Sequence, residues 1–139
     1  MNENNEREYE VTTVTDFDRE QKRFVKKKKF FSLPDQIDEL IENFEKGTFE
    51  GDKYKHIDKP TPCDVYKLRL PNPDTGAGKS NGYRVFYMVV TEKKIVVFLV
   101  IYYKKEVATI TDTYVNGLID GYFINAQLEE DKQTDEAEE

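Results

Sequence analysis

The chain has 139 residues, 28 acidic and 21 basic side chains, one cysteine and one histidine. That length suits one domain able to bury its own core. An internal disulfide is excluded, and Cys63 with His56 leaves too few ligands for a conventional zinc site, so no metal is expected. The longest apolar run, Ile95 to Tyr103, falls far short of the roughly 20 residues that span a bilayer. The opening MNENNEREYE lacks the apolar stretch of a signal peptide. No membrane partner and a cytoplasmic location are therefore expected. The net charge of −7 is unevenly spread. Residues 1–20 hold seven acids and two bases, residues 125–139 hold seven acids and one base, and residues 53–105 hold eleven bases and four acids. Attraction of a polyanion is decided by charge within a Debye length, so nucleic acid stays open as a partner.

In chain order, residues 1–7 read as a flexible acidic N-terminus and residues 8–124 as the folded domain. Glu8 to Thr15, EYEVTTVT, has the composition of a strand. Asp16 then serves as the N-cap of a helix with Phe17 and Phe24 on one face. The Lys26 to Lys29 run falls near its C-terminal end, where cations suit the helix dipole, and reads as a solvated helix end. Ser32-Leu33-Pro34-Asp35 marks a second helix start. Leu33, Ile37, Leu40, Ile41 and Phe44 make one apolar stripe, which is core, and Gly47 closes the helix.

Gly51 to Cys63 is a loop with two prolines. Val65 to Leu70 alternates as a strand, with Tyr66, Leu68 and Leu70 on one face and Lys67 and Arg69 on the other. Tyr83 to Val90 is the next strand, Thr91 to Lys94 a hairpin turn, and Ile95 to Tyr103 a strand apolar on both faces, hence central. These three make an antiparallel meander. Thr109 to Tyr122 recurs at helical spacing, with Thr109 and Asp112 as a capping box and Gly117 weakening it by roughly 1 kcal/mol relative to alanine. Residues 125–139 read as an acidic disordered tail.

Between the first two meander strands lies Pro73-Asp74-Thr75-Gly76-Ala77-Gly78-Lys79-Ser80, which ends like a phosphate-binding P-loop. The pattern needs glycine where Pro73 stands, and it must run into a helix whose N–H groups hold the phosphate. Here the strand from Tyr83 follows. No nucleotide cofactor is expected, and the segment reads as a loop joining two strands.

The element order, Tyr66-Lys67-Leu68-Arg69-Leu70, Gly78-Lys79-Ser80-Asn81-Gly82-Tyr83-Arg84-Val85-Phe86-Tyr87 and Tyr103-Lys104-Lys105-Glu106 together resemble the RelE/ParE superfamily of bacterial toxins, closest to its RelE/HigB branch. The resemblance covers roughly residues 8–122. It implies an α+β, RelE-like fold: a small, mostly antiparallel four-stranded sheet, two N-terminal helices packed on one face, and a C-terminal helix. It also implies a toxin of a type II toxin–antitoxin system that cuts messenger RNA on the ribosome without a metal or other cofactor. The partners it implies are a cognate antitoxin, the ribosome and mRNA. Two other members of the superfamily stand as alternatives, a ParE-like inhibitor of DNA gyrase and a degenerate, antitoxin-bound form without activity. Studied members carry a tyrosine where this chain has Thr111.

In that chemistry the 2′-OH attacks the neighbouring phosphorus, and a dianionic transition state must be stabilised. Carried over from the resemblance, the catalytic set is Lys67, Arg69, Arg84, Lys105 and Tyr103. Arginine binds two phosphate oxygens and stays charged, so Arg69 and Arg84 are assigned to the phosphate. Lys67 is the expected base, since neighbouring cations or burial would lower its pKa. Lys105 would neutralise charge or protonate the leaving group, and Tyr103 would stack on a base. Lys79 and Lys104 are expected to be RNA-binding contacts.

Overall fold

The computed structural model describes residues 8–138, with side chains through residue 133, so the N-terminus expected to be flexible at 1–7 lies outside the described residues. The elements are β1 (Glu10–Thr13), α1 (Thr15–Lys26), α2 (Leu33–Glu45), β2 (Asp52–Lys53), β3 (Asp64–Leu70), β4 (Tyr83–Val90), β5 (Ile95–Tyr103) and α3 (Asp112–Glu138). The protein is α+β, but its sheet has five strands instead of four, in the order β1-β5-β4-β3-β2. It is also mixed. The meander β3-β4-β5 is antiparallel, whereas β1 runs parallel to β5. The two helices expected at the N-terminus come after β1, and the connection through them is long enough for a parallel return. The added strand, β2, is only two residues long and caps the far edge against β3.

Hydrophobic burial divides into two layers, one on each face of this sheet. On the first, Phe17 and Phe24 of α1 and Leu33, Ile37, Leu40 and Phe44 of α2 meet Tyr83, Val85, Tyr87 and Val89 of β4. On the second, Val115 and Ile119 of α3 meet Phe86 and Met88 of β4 and Val97, Leu99 and Val100 of β5. Both central strands are therefore covered twice, which is why their apolar runs show no alternation. The β5 strand carries one irregularity. Phe86 pairs with Val100, but the next residue, Tyr87, pairs with Phe98, so Leu99 is bulged. Leu99 and Val100 then face the same layer, and every residue after them swaps face relative to a regular strand.

Several helix ends differ from the sequence reading. The first helix begins at Thr15 with Val14 as N-cap, so Asp16 sits inside its first turn, where a carboxylate suits the dipole. Ser32 makes no side-chain cap. Its hydroxyl and its N–H instead bond the carboxylate of Asp74, both at 3.0 Å, and tie the glycine loop to α2. The α3 helix starts at Asp112 with Thr111 as its cap, the Thr111 hydroxyl accepting the Tyr114 N–H at 3.1 Å. It continues to Glu138, so the tail expected to be disordered is helical in its described part. Local pairs such as the Gln127 amide donating to Asp131 at 3.0 Å support it.

The turn after β5 is anchored to the α1 layer. Arg23 grips the Glu106 carboxylate with two N–H groups, at 2.7 and 3.3 Å, and Lys28 lies 3.2 Å from it. The Arg23 contact, then Lys28, holds the Glu106 carboxyl below the usual carboxylate range. A lowered carboxylate pKa contributes stability that is present at neutral pH and lost as pH falls through the folded-state value. Glu106→Gln is expected to cost about 1 kcal/mol at pH 7 and nothing below the titration, as chemical denaturation across pH would show.

Candidate functional site

Two rows of side chains cross the second face of the sheet near the open ends of the meander. Strand pairing sets Arg69 opposite Arg84, and Arg84 opposite Tyr102. One step along, Lys67 lies opposite Phe86 and Phe86 opposite Val100. The alternation in β3 thus places Lys67 and Arg69 together as the sequence suggests, and the pairing with β4 brings Arg84 beside them. Like charges directly opposite each other in a sheet are destabilising. Lys104, just past β5, adds a fourth cation, its backbone N–H donating to Gly82 O at 2.9 Å and its Nζ to Ala108 O at 3.0 Å. Burial first, then Arg84, Lys104 and Arg69, pull the Lys67 ammonium below its ordinary pKa. Its Nζ lies 5.6 Å over the Phe86 ring, which offers the cation a π face.

Arg84 is 5% exposed, and its guanidinium is engaged by the chain itself. Nη1 donates to the carbonyls of Lys79 and Tyr83 at 2.9 and 3.2 Å, and Nη2 to Ser80 O at 3.0 Å. Its pKa is lowered by burial and then by Arg69. Arg84 therefore builds the loop that carries Lys79. That loop is held at other points as well. Gln36 donates to Pro71 O at 2.9 Å, and the Tyr103 hydroxyl bonds the Thr75 hydroxyl at 3.0 Å. At its base, a Cβ on Gly82 would sit 2.1 Å from Leu70 O, so only glycine lets the two strands close there. The Gly-Lys-Ser segment enters a strand and not a helix, so it has no P-loop geometry.

The remaining expected residues fall apart from one another. Lys79 is exposed and shares with Arg69 a hollow of about 200 Å³ beside α2. Lys105 is exposed in the turn after β5, and it is Lys104 whose charge acts on Lys67. Tyr103 is not with the cations. It is 5% exposed in the α1–α2 layer, its ring 5.4 Å from that of Phe30. The bulge at Leu99 sets Tyr102 opposite Arg84; a regular strand would set Ile101 there and turn Tyr103 to the same face. Burial raises the Tyr102 pKa, which Arg84 and a hydrogen bond with Thr109 partly offset.

The structure brings to this face residues that the sequence did not assign to it. The Tyr54 ring stands edge-on to Phe86, with centroids 5.1 Å apart, and its hydroxyl bonds the Asp112 carboxylate at the start of α3. Burial, then the Asp112 contact, raises the Tyr54 pKa well above the usual phenol value, so it stays a hydrogen-bond donor. His56 Nδ1 lies 4.0 Å from Asp112. No family model matches the chain, and no curated protein is similar to it. Among the described residues, no helix is long and apolar enough to cross a membrane.

The lowered Lys67 pKa fixes the sign of a pH effect on stability. A lysine whose folded-state pKa is lowered destabilises the fold while protonated, and the cost vanishes above the usual lysine value of 10.5. Lys67→Met is expected to raise the melting temperature at pH 7, with the gain shrinking as the buffer approaches pH 10.5. Arg84→Ala should leave the core folded but speed amide exchange across residues 76–82, read by hydrogen–deuterium exchange.

Proposed function

We propose that the protein is a RelE-type toxin, a cytoplasmic endoribonuclease that cuts messenger RNA held in the ribosomal A site and is neutralised by a cognate antitoxin. One observation carries this reading: Arg69 and Arg84 face each other across two strands, with Lys67 and Lys104 alongside. Such repulsion is costly to a sheet and is relieved by a bound polyanion. Arg69 and Lys104 hold the scissile phosphate, Lys67 handles a proton, and Arg84 fixes the loop that presents Lys79. Charge placed in advance around a developing dianion usually contributes more to such catalysis than any other effect.

Free RNA rarely holds its 2′-OH in line with the scissile bond, and alignment is worth roughly 7–11 kcal/mol. The ribosome supplies that alignment by clamping the message. The purified protein is expected to leave naked RNA intact and to cut the same message in a ribosome with an empty A site, as mapping of 5′ ends would show. Arg69→Ala should lower the cleavage step more than ribosome binding.

A non-catalytic, ParE-like reading draws support from Arg84, whose guanidinium is spent on loop carbonyls instead of standing free for phosphate. Inhibition of DNA gyrase with no cutting of either form of message would establish that reading and remove the first.

A further inference from the structure

We propose that Asp112 accepts the proton of the attacking 2′-hydroxyl, that Tyr54 holds its carboxylate in place, and that Asn116 is the positioning residue for both. This inference rests on the RNA-cleaving reading above. Phe86 is the shared floor: Lys67 Nζ lies 5.6 Å over its ring, and the Tyr54 ring stands on it at 5.1 Å. The Tyr54 hydroxyl donates to Asp112 Oδ1, which brings a carboxylate to the wall of the cationic face. Oδ2 lies 4.0 Å from His56 Nδ1, too far for a hydrogen bond, and the Asp112 side chain is 59% exposed, so a substrate hydroxyl can reach it.

This arrangement is built by an amide. Asn116 is 4% exposed. Its Nδ2 donates to His56 O at 2.9 Å and to Asp112 O at 2.8 Å, and its Oδ1 accepts the Asp58 N–H at 3.0 Å. It clips the segment after Tyr54 to the first turn of α3, and losing a buried, fully bonded amide leaves backbone groups unpaired.

A carboxylate base solves a problem that Lys67 alone leaves. A lysine base must first shed its proton, whereas carboxylates are ionised at neutral pH. With Asp112 as acceptor, Lys67 is free to be the donor. Asp112 takes the proton from O2′ as the O2′–P bond forms. The P–O5′ bond breaks, and O5′ takes a proton from the Lys67 ammonium. The products are a 2′,3′-cyclic phosphate and a 5′-hydroxyl, with Asp112 protonated and Lys67 neutral until water resets both. The charged and titratable groups that face Asp112 are Tyr54 and His56 on the preceding segment and Lys67 on β3, and Lys67 in turn feels Arg84, Lys104 and Arg69.

The test is single-turnover cleavage of ribosome-held message across pH, with Asp112→Asn as the main variant. An asparagine oxygen still accepts the Tyr54 hydrogen bond, so a merely structural role survives, while the proton acceptor is gone. The expected result is a loss of about 100-fold or more in the cleavage rate, disappearance of the acid limb of the pH profile, and an unchanged melting temperature. Asp112→Glu should recover part of the rate. Asn116→Ala should slow cleavage yet keep the acid limb, as a positioning residue does. Asp112→Asn cutting at the rate of the unmutated chain, with the acid limb intact, overturns this inference alone. If the unmutated chain cuts no message on the ribosome, the RNA-cleaving reading falls and this inference falls with it.

Discussion

A guanidinium buried in the middle of a sheet needs acceptors, and the carbonyls of the loop before β4 are what Arg84 has. Much of the site follows from that need. The three hydrogen bonds fold the loop back over the start of its own strand. The turn then has to close at Gly82, against the Leu70 carbonyl, where no side chain fits. Gly82 O in turn receives the Lys104 N–H, which fixes where the chain leaves β5. One buried charge thus organises two loops and places two lysines. The same charge stands opposite Arg69, so the device that shapes the loops also concentrates positive potential on one face.

The bulge at Leu99 is the second constraint. A strand covered on both faces can change phase without exposing apolar surface, because either layer accepts a large side chain. The change of phase decides which of two adjacent tyrosines faces the cations. Tyr102 goes to that face, and Tyr103 is left to fill the α1–α2 layer and to hold the glycine loop through Thr75.

What was legible in the sequence was what depends on local periodicity. The alternation of Val65 to Leu70 placed Lys67 and Arg69 on one face correctly, and Phe17, Phe24 and the stripe of α2 are core as read. The parallel pairing of β1 with β5 was hidden, because a strand does not encode its partner. The two-residue β2 is too short to carry a pattern. Which of Tyr102 and Tyr103 faces the cations was not legible, because a bulge leaves no mark in an unbroken apolar run. Tyr54 and Asp112 are 58 residues apart and meet only through packing on Phe86 and the Asn116 clip. Residues 125–139 were read by charge alone, which suggested disorder where α3 continues to Glu138. Arg84 was recognised as unusual for its charge inside an apolar strand, but its acceptors lie in a loop whose path no pattern predicts.

The clip formed by Asn116 bears on how the protein is made. All five strands precede α3 in the chain, so a growing polypeptide can form its sheet and display its cations before Asp112 and Asn116 have joined it. Until α3 docks, the segment around His56 has no amide to hold it, and Tyr54 has no carboxylate to bond. The contacts of Asn116 with His56 O and Asp58 N–H, and that of Tyr54 with Asp112, are therefore among the last of the fold that a growing chain can make.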